Sequence, residues 1–255
     1  MMRRELELFF NALRYFTRLP VPAWVGWSTD IMNACARWFP AVGLLVGAVA
    51  AAVLWVTGQW LPAALAVVLS TAATLRLTGG FHEDGWADVC DGFGGGWTRD
   101  QILTIMKDSR IGAYGAMGLV IMLAAKMVAL SSMPLASAML ALLVAHPVSR
   151  LCATVLIFTM RYARDEDPDG VSRAKPLAVR LSGGGMVWAA LCGLAPLALL
   201  APWQIVAVIA LAVLATVAAA RHFQRRIGGY TGDCLGATQQ LAEVAVYIAL
   251  CMRPG

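Results

Sequence analysis

Residues 80–96 read Gly-Phe-His-Glu-Asp-Gly-Trp-Ala-Asp-Val-Cys-Asp-Gly-Phe-Gly-Gly-Gly, a run of carboxylates in a chain otherwise dominated by apolar stretches. Asp84, Asp88 and Asp91 stand at i, i+4 and i+7, so on a helix all three project from one face. Neighbouring like charges on a helix face are destabilising, and a sequence that stacks three of them is suited to binding a cation there. Hard divalent ions such as Mg²⁺ are held by a few carboxylates, with substrate phosphate and water completing the shell. Asp84, Asp88 and Asp91 are therefore candidate metal ligands, with Glu83 beside them as a further oxygen donor. His82 reads equally well as a proton acceptor or as a structural hydrogen-bonding group.

Three more polar clusters interrupt the apolar sequence. One is Lys107-Asp108-Ser109-Arg110-Ile111-Gly112, and another joins Arg161 and Arg164 to the acidic turn 165–169. The last is Gly228-Gly229-Tyr230-Thr231-Gly232-Asp233. Lys107, Arg110 and either Arg161 or Arg164 can neutralise phosphate oxygens. Glycine-rich turns at helix starts let backbone N–H groups approach an anion. With the carboxylates, these parts describe phosphoryl transfer, in which catalysis is mainly positioning and charge neutralisation. Lys107 and Arg110 suit the anchoring of lipid headgroups equally well, and an acidic turn such as 165–169 is ordinarily a solvated face.

Within the apolar runs, Lys126, His146 and Arg150 stand out, since ionisable residues at membrane depth face a bundle interior or a cavity. His146 and Arg150 share a face at i, i+4, and Arg150 is assigned to an anionic substrate. Lys126 is assigned to structure or snorkelling. Asp233 and Glu243 form a second acidic pair, with Asp233 the stronger candidate because a glycine-rich turn introduces it.

These clusters need elements to hold them, and composition says which. The 255 residues are 60% hydrophobic and only 14% charged, with a mean hydropathy of +0.70. A soluble domain averages about 45–50% apolar and about 25% charged, so this is membrane-protein composition. The apolar runs recur along the whole length, giving one integral-membrane domain over residues 1–255. The net charge of +5 fits Lys and Arg at span ends and excludes a nucleic-acid footprint. The six cysteines contain no CxxC pair, which argues against zinc and against a disulfide framework. No cleavable signal peptide is expected.

The predicted fold is all-α, a polytopic helical bundle with about seven transmembrane helices. An amphipathic interfacial helix over 5–19 comes first, its stripe formed by Leu6, Phe9, Phe10, Leu13 and Phe16, and Pro20 and Pro22 end it. Hairpins follow over 40–78, 113–160 and 186–220, and a last helix covers 235–252. Gln239, Gln240 and Glu243 make that last helix polar enough to be re-entrant in part. With the N-terminus and the four polar clusters on one side, only Lys126, Arg150 and Arg253 of the 20 Lys and Arg residues are unaccounted for. By the positive-inside rule that side is cytoplasmic, and the C-terminus lies outside.

At the motifs themselves a resemblance becomes specific. The run Gly79-Gly80-Phe81-His82-Glu83-Asp84-Gly85-Trp86-Ala87-Asp88-Val89-Cys90-Asp91-Gly92 closely resembles the signature of the cobalamin synthases, the adenosylcobinamide-GDP ribazoletransferases. So do Ile105-Met106-Lys107-Asp108-Ser109-Arg110-Ile111-Gly112-Ala113-Tyr114-Gly115, residues 13–22 and residues 228–233. The resemblance implies a Mg²⁺-dependent transferase of the bacterial inner membrane, with its active site at the cytoplasmic face. The implied substrates are adenosylcobinamide-GDP and α-ribazole or its 5′-phosphate, and the implied products are GMP and adenosylcobalamin or its 5′-phosphate. Carried onto this sequence, the catalytic set is His82, Asp84, Asp88 and Asp91, with metal on Asp84, Asp88, Asp91 and Glu83. Substrate contacts fall to Lys107, Asp108, Arg110, Arg150, Thr231 and Asp233. The other implied partners are the lipid bilayer, a second copy of the chain or other proteins of cobalamin synthesis, and no nucleic acid.

Two other classes fit the sequence less well. The CDP-alcohol phosphotransferases carry Asp-Gly-x-x-Ala-Arg, whereas Asp84-Gly85-Trp86-Ala87-Asp88 is shorter and ends on the opposite charge. An ion or metabolite transporter would account for Lys126, His146 and Arg150, but not for four hydrophilic clusters on one side.

Overall fold

The computed structural model describes residues 2–164 and 180–252. The chain order is α1 (Met2–Phe16), α2 (Thr29–Cys35), α3 (Phe39–Gly58), α4 (Ala63–Thr78), α5 (Phe81–Gly95) and α6 (Arg99–Ile105). It continues with α7 (Ala113–Ser131), α8 (Leu135–Thr159), α9 (Gly183–Leu194), α10 (Pro202–Ile227) and α11 (Gly232–Cys251). The described residues form no strand, and their regular structure is helical apart from one isolated bridge between Tyr162 and Tyr230.

α8 is the axis of the bundle and is buried over most of its length. α3 lies directly against it because Gly43 and Gly47 present no side chain at the crossing. A Cβ on Gly43 would sit 2.5 Å from the His146 carbonyl oxygen, and one on Gly47 would sit 2.6 Å from that of Leu142. Small residues four apart are how helices approach closely in a membrane. α11 packs on a second side of α8, between it and α5 and α10. α7 and α10 instead expose apolar side chains such as Val120, Ile121, Val206 and Leu214, the surface expected to face lipid.

Among the described residues, five helical runs are long and apolar enough to cross a bilayer, or six if the bent pair α4–α5 counts as one. The expected seven spans are corrected to that number. α4 has 16 residues and then turns by 90° into α5, and α9 has only 12 before Pro196 forces a 3₁₀ turn over Ala195–Leu199. At 1.5 Å per residue, 12 residues cover roughly 18 Å of a hydrocarbon core about 30 Å thick. The hairpin over 113–160 is present as α7 and α8. α11 is one unbroken helix whose Gln239, Gln240 and Glu243 are buried in the bundle.

α1 is amphipathic, but its buried side is Leu8, Ala12, Leu13 and Phe16, and Leu6 points outward. The helix stops at Phe16, before either proline, because Arg18 N–H pairs instead with the Leu77 carbonyl at the end of α4 (2.8 Å). Phe16 packs edge-on against Phe39 with ring centres 4.5 Å apart. The amphipathic face thus meets α3, and not the bilayer alone.

Candidate active site

The carboxylate helix begins at a forced turn. Gly79 and Gly80 both adopt left-handed backbone (φ 73° and 69°), which side chains beyond glycine rarely tolerate, and this sends α5 off at a right angle to α4. Five residues later α5 crosses the first turn of α11 at glycine on both sides. A Cβ on Gly85 would lie 3.0 Å from the Asp233 carbonyl oxygen and 3.3 Å from Gly236 Cα. That contact carries Asp233 to the side of α5 that bears Asp84 and Asp88. Asp88 feels the negative charge of Asp233 most strongly, followed by those of Asp84 and Asp91, and Arg164 opposes them. Arg164 also pairs directly with Asp233 (Nη2 to Oδ2, 3.2 Å).

Asp91 shares the helix face, as its spacing requires, and sits about 10 Å along the axis from Asp84 and about 4.5 Å from Asp88. There its two oxygens accept the backbone N–H groups of Gly112 (2.7 Å) and Gly115 (2.8 Å), satisfying donors that the first turn of α7 leaves unpaired. A Cβ at either glycine would run into the carboxylate. Glu83 is turned inward, where it accepts from Gln240 Nε2 (3.0 Å) and lies 3.8 Å from Lys126 Nζ. Of the four expected metal ligands, Asp91 thus holds two backbone donors and Glu83 faces Gln240 and Lys126, while Asp84 and Asp88 share the remaining face.

Among the described residues, no three His, Cys, Asp or Glu side chains stand close enough to hold a metal by themselves. Mg²⁺ does not need such a cage, since it commonly takes one or two carboxylates together with substrate phosphates. Asp84, which is exposed, and half-buried Asp88 fit that requirement. The crowding of a third carboxylate, Asp233, disfavours leaving the group without a cation.

Other predicted residues fall into three places. Lys107, Asp108 and Arg110 occupy the loop between α6 and α7, where Arg110 and Asp108 form a clasp (2.7 Å). Hydrogen bonds from Arg110 hold the Asp108 carboxyl down at about 2. His82, Arg150 and Thr231 are buried, and His82 and Arg150 line enclosed cavities inside the bundle. His82 stacks on Phe16 (ring centres 5.2 Å apart), and Arg150 donates to the His146 carbonyl (3.0 Å). Thr231 is wholly buried as the N-cap of α11, accepting Cys234 N–H and donating to Asp233 Oδ2 (3.3 Å each). Residues 165–169 lie outside the described residues.

Sequence reasoning missed how the third and fourth clusters meet. Tyr230 N–H donates to the Arg161 carbonyl (3.0 Å) and Ala163 N–H to the Tyr230 carbonyl (2.8 Å), so the two segments run side by side. Arg99 staples them, its guanidinium donating to the carbonyls of Ala163 (2.6 Å) and Ile227 (3.3 Å). Nothing in the local pattern around Arg99 signals that role. Beside this junction opens a cleft of about 740 Å³, with Arg99, Arg161 and Arg180 on its walls and Phe158, Met160 and Leu181 among its apolar lining. The volume and the mixed walls suit a nucleotide-sized anion.

Comparison with known proteins reaches nearly the whole chain. Residues 8–251 match a family model described as cobalamin-5-phosphate synthase. The adenosylcobinamide-GDP ribazoletransferase of Leptothrix cholodnii is 50% identical over 254 residues, covering 96% of this chain and 94% of its own length. That of Shewanella oneidensis is 45% identical over 264 residues, covering 99% and 96%. That of Shewanella putrefaciens is 44% identical over 259 residues, covering 97% and 94%. No solved structure matches.

Proposed function

The chain belongs to the cobalamin-5-phosphate synthase family, and from that premise we propose how its residues carry out the reaction. It is a multi-pass membrane enzyme with adenosylcobinamide-GDP ribazoletransferase activity in cobalamin biosynthesis. A ribose hydroxyl of α-ribazole, or of its 5′-phosphate, attacks the phosphorus attached to cobinamide. The bond to the GMP oxygen breaks, and GMP leaves with the electron pair. A carboxylate of the cluster accepts the hydroxyl proton, a contribution worth about 10²–10⁴-fold. His82, enclosed behind Phe16, is less suited to that role than the carboxylates.

Asp84 and Asp88 would hold Mg²⁺, which would supply neutralisation of the charge developing on the phosphoryl oxygens. Arg164 draws Asp233 into place and offers a cation at the rim of the group. Arg161 and Arg180 in the adjoining cleft bind the phosphate of the incoming nucleotide, with the apolar walls against its base. Lys107 and Arg110, on their exposed loop, meet the diphosphate as it enters. The reaction faces the cytoplasm of a bacterial cell, where the basic segments collect.

The observation that carries this reading is the Gly85–Gly236 crossing, which gathers Asp84, Asp88, Asp233 and Arg164 from three separate segments. GMP release from adenosylcobinamide-GDP by purified Asp88→Asn protein in detergent tests it. Turnover is expected to vanish while membrane insertion and helix content stay normal. Near-normal turnover in that variant would overturn the assignment.

A further inference from the structure

Behind the site, four helices share a network of charged and polar groups sealed within the bundle. Lys126 of α7 places its Nζ 2.9 Å from Glu243 Oε1 on α11 and 3.8 Å from Glu83 Oε1 on α5. Glu243 also accepts from Gln239 Nε2 (2.6 Å) and from the Tyr247 hydroxyl (3.0 Å), and His146 Nδ1 of α8 is 3.7 Å away. Gln240 donates to both Glu83 (3.0 Å) and Gln239 (2.8 Å), and Gln239 donates to Ser149 of α8 (2.9 Å). Lys126 and Glu243 are each at most 5% exposed. Lys126 therefore does not snorkel, since its ammonium is turned into the bundle and neutralises two carboxylates there.

We propose that Lys126 and Glu243 are positioning residues for the reaction, acting through Glu83 to set the rotation of α5 and hence the direction of Asp84 and Asp88. Glu83 and Asp84 are adjacent, so on a helix their side chains diverge by about 100°. Drawing Glu83 inward fixes Asp84 and Asp88 on the outer side of α5. A roll of only about 20° would move a carboxylate some 6 Å from the axis by about 2 Å. Misplacements of that order cost about 10²-fold in rate. The glycine crossing at Gly85 fixes how near α5 comes to α11, and the Asp91 bonds hold the later part of α5 against α7, but neither grips the turn that carries Glu83 and Asp84. The ion network restrains that first turn. This inference rests on the site reading above.

The test uses Lys126→Met in the purified full-length protein. Expected are a kcat about 10²-fold lower at unchanged KM for adenosylcobinamide-GDP, weaker Mn²⁺ binding by electron paramagnetic resonance without substrates, and faster amide exchange across residues 82–92. Lys126→Arg, which keeps the charge, is expected to recover much of the kcat. The double variant Lys126→Met/Glu83→Gln leaves one fewer carboxylate stranded. It is expected to regain melting temperature but not kcat, since stability returns while the tether stays cut. Joint recovery of stability and kcat in the double variant marks a purely structural network and overturns the proposal. So does a folded Lys126→Met with wild-type kcat and amide exchange. Amide exchange reports the tether even if Asp84 and Asp88 bind no metal, so failure of the site reading and failure of this inference are distinguishable.

Discussion

Each oxygen of Asp91 accepts one backbone N–H at the start of α7, so this carboxylate is already tied to a second helix. Asp88, three residues earlier, faces Asp233 and Asp84 instead. The two aspartates should therefore respond differently to the same substitution. Asp91→Asn introduces an NH₂ where an acceptor is needed and should lower stability by about 1 kcal/mol, the usual worth of a helix cap. A lower melting temperature with unchanged Mn²⁺ binding is the expected signature, and parallel loss of Mn²⁺ binding would return Asp91 to the ligand set. Arg161→Ala should raise KM for the phosphorylated ribazole several-fold more than for the unphosphorylated form, because its guanidinium lines the cleft. Equal changes for the two forms would remove the phosphate from that cleft. The residue types and the i, i+4, i+7 spacing were visible in the sequence. Which oxygens were already committed was not, since the partners of Asp91 lie beyond a separate helix and loop.

At the scale of elements, the catalytic geometry depends on two helices touching at glycine. Gly85→Val would insert a branched side chain where even a Cβ lies 3.0 Å from the Asp233 carbonyl oxygen. α5 must then move off α11, separating Asp84 and Asp88 from Asp233 and Arg164. The expected result is a fall in kcat of about 10²-fold with helix content preserved by circular dichroism. Wild-type turnover in Gly85→Val would show that this contact does not assemble the site. Helices 113–131 and 135–159 were legible because a long apolar run bounded by Ser-Ser-Met-Pro admits little else. The right-angle turn at Gly79-Gly80 was not, because a glycine pair permits left-handed backbone without specifying the direction in which the chain leaves.

For the whole molecule, the proposed orientation by the excess of Lys and Arg would put the acidic site on the cytoplasmic side and the α3–α4 turn at Gln59 on the other. Single cysteines introduced as Gln59→Cys or Lys107→Cys, in a Cys251→Ser background, should react with a membrane-impermeant maleimide from opposite faces of oriented vesicles. Labelling of both from one face would overturn the proposed sidedness. The bundle also explains why charged residues lie deep within it. Lys126, Glu243 and Arg150 are enclosed by α8 and its neighbours, while the lipid-facing sides of α7 and α10 carry apolar residues.

By itself, the sequence determined that the chain lives in a membrane, that its helices gather four polar clusters, and that three aspartates share one helix face. Those are consequences of composition and of the 3.6-residue period, which need no knowledge of neighbours. Only the tertiary structure decided what each carboxylate meets. Asp84 is exposed and Asp88 half-buried, Asp91 binds amides 21 and 24 residues away, and Glu83 turns toward Lys126. It also brought in Asp233 and Arg164, and enclosed His82, Arg150 and Thr231. The reason is that a side chain's chemistry depends on which donors and charges lie within a few ångströms. Here most of those come from helices far away in the chain, brought close by contacts between glycines.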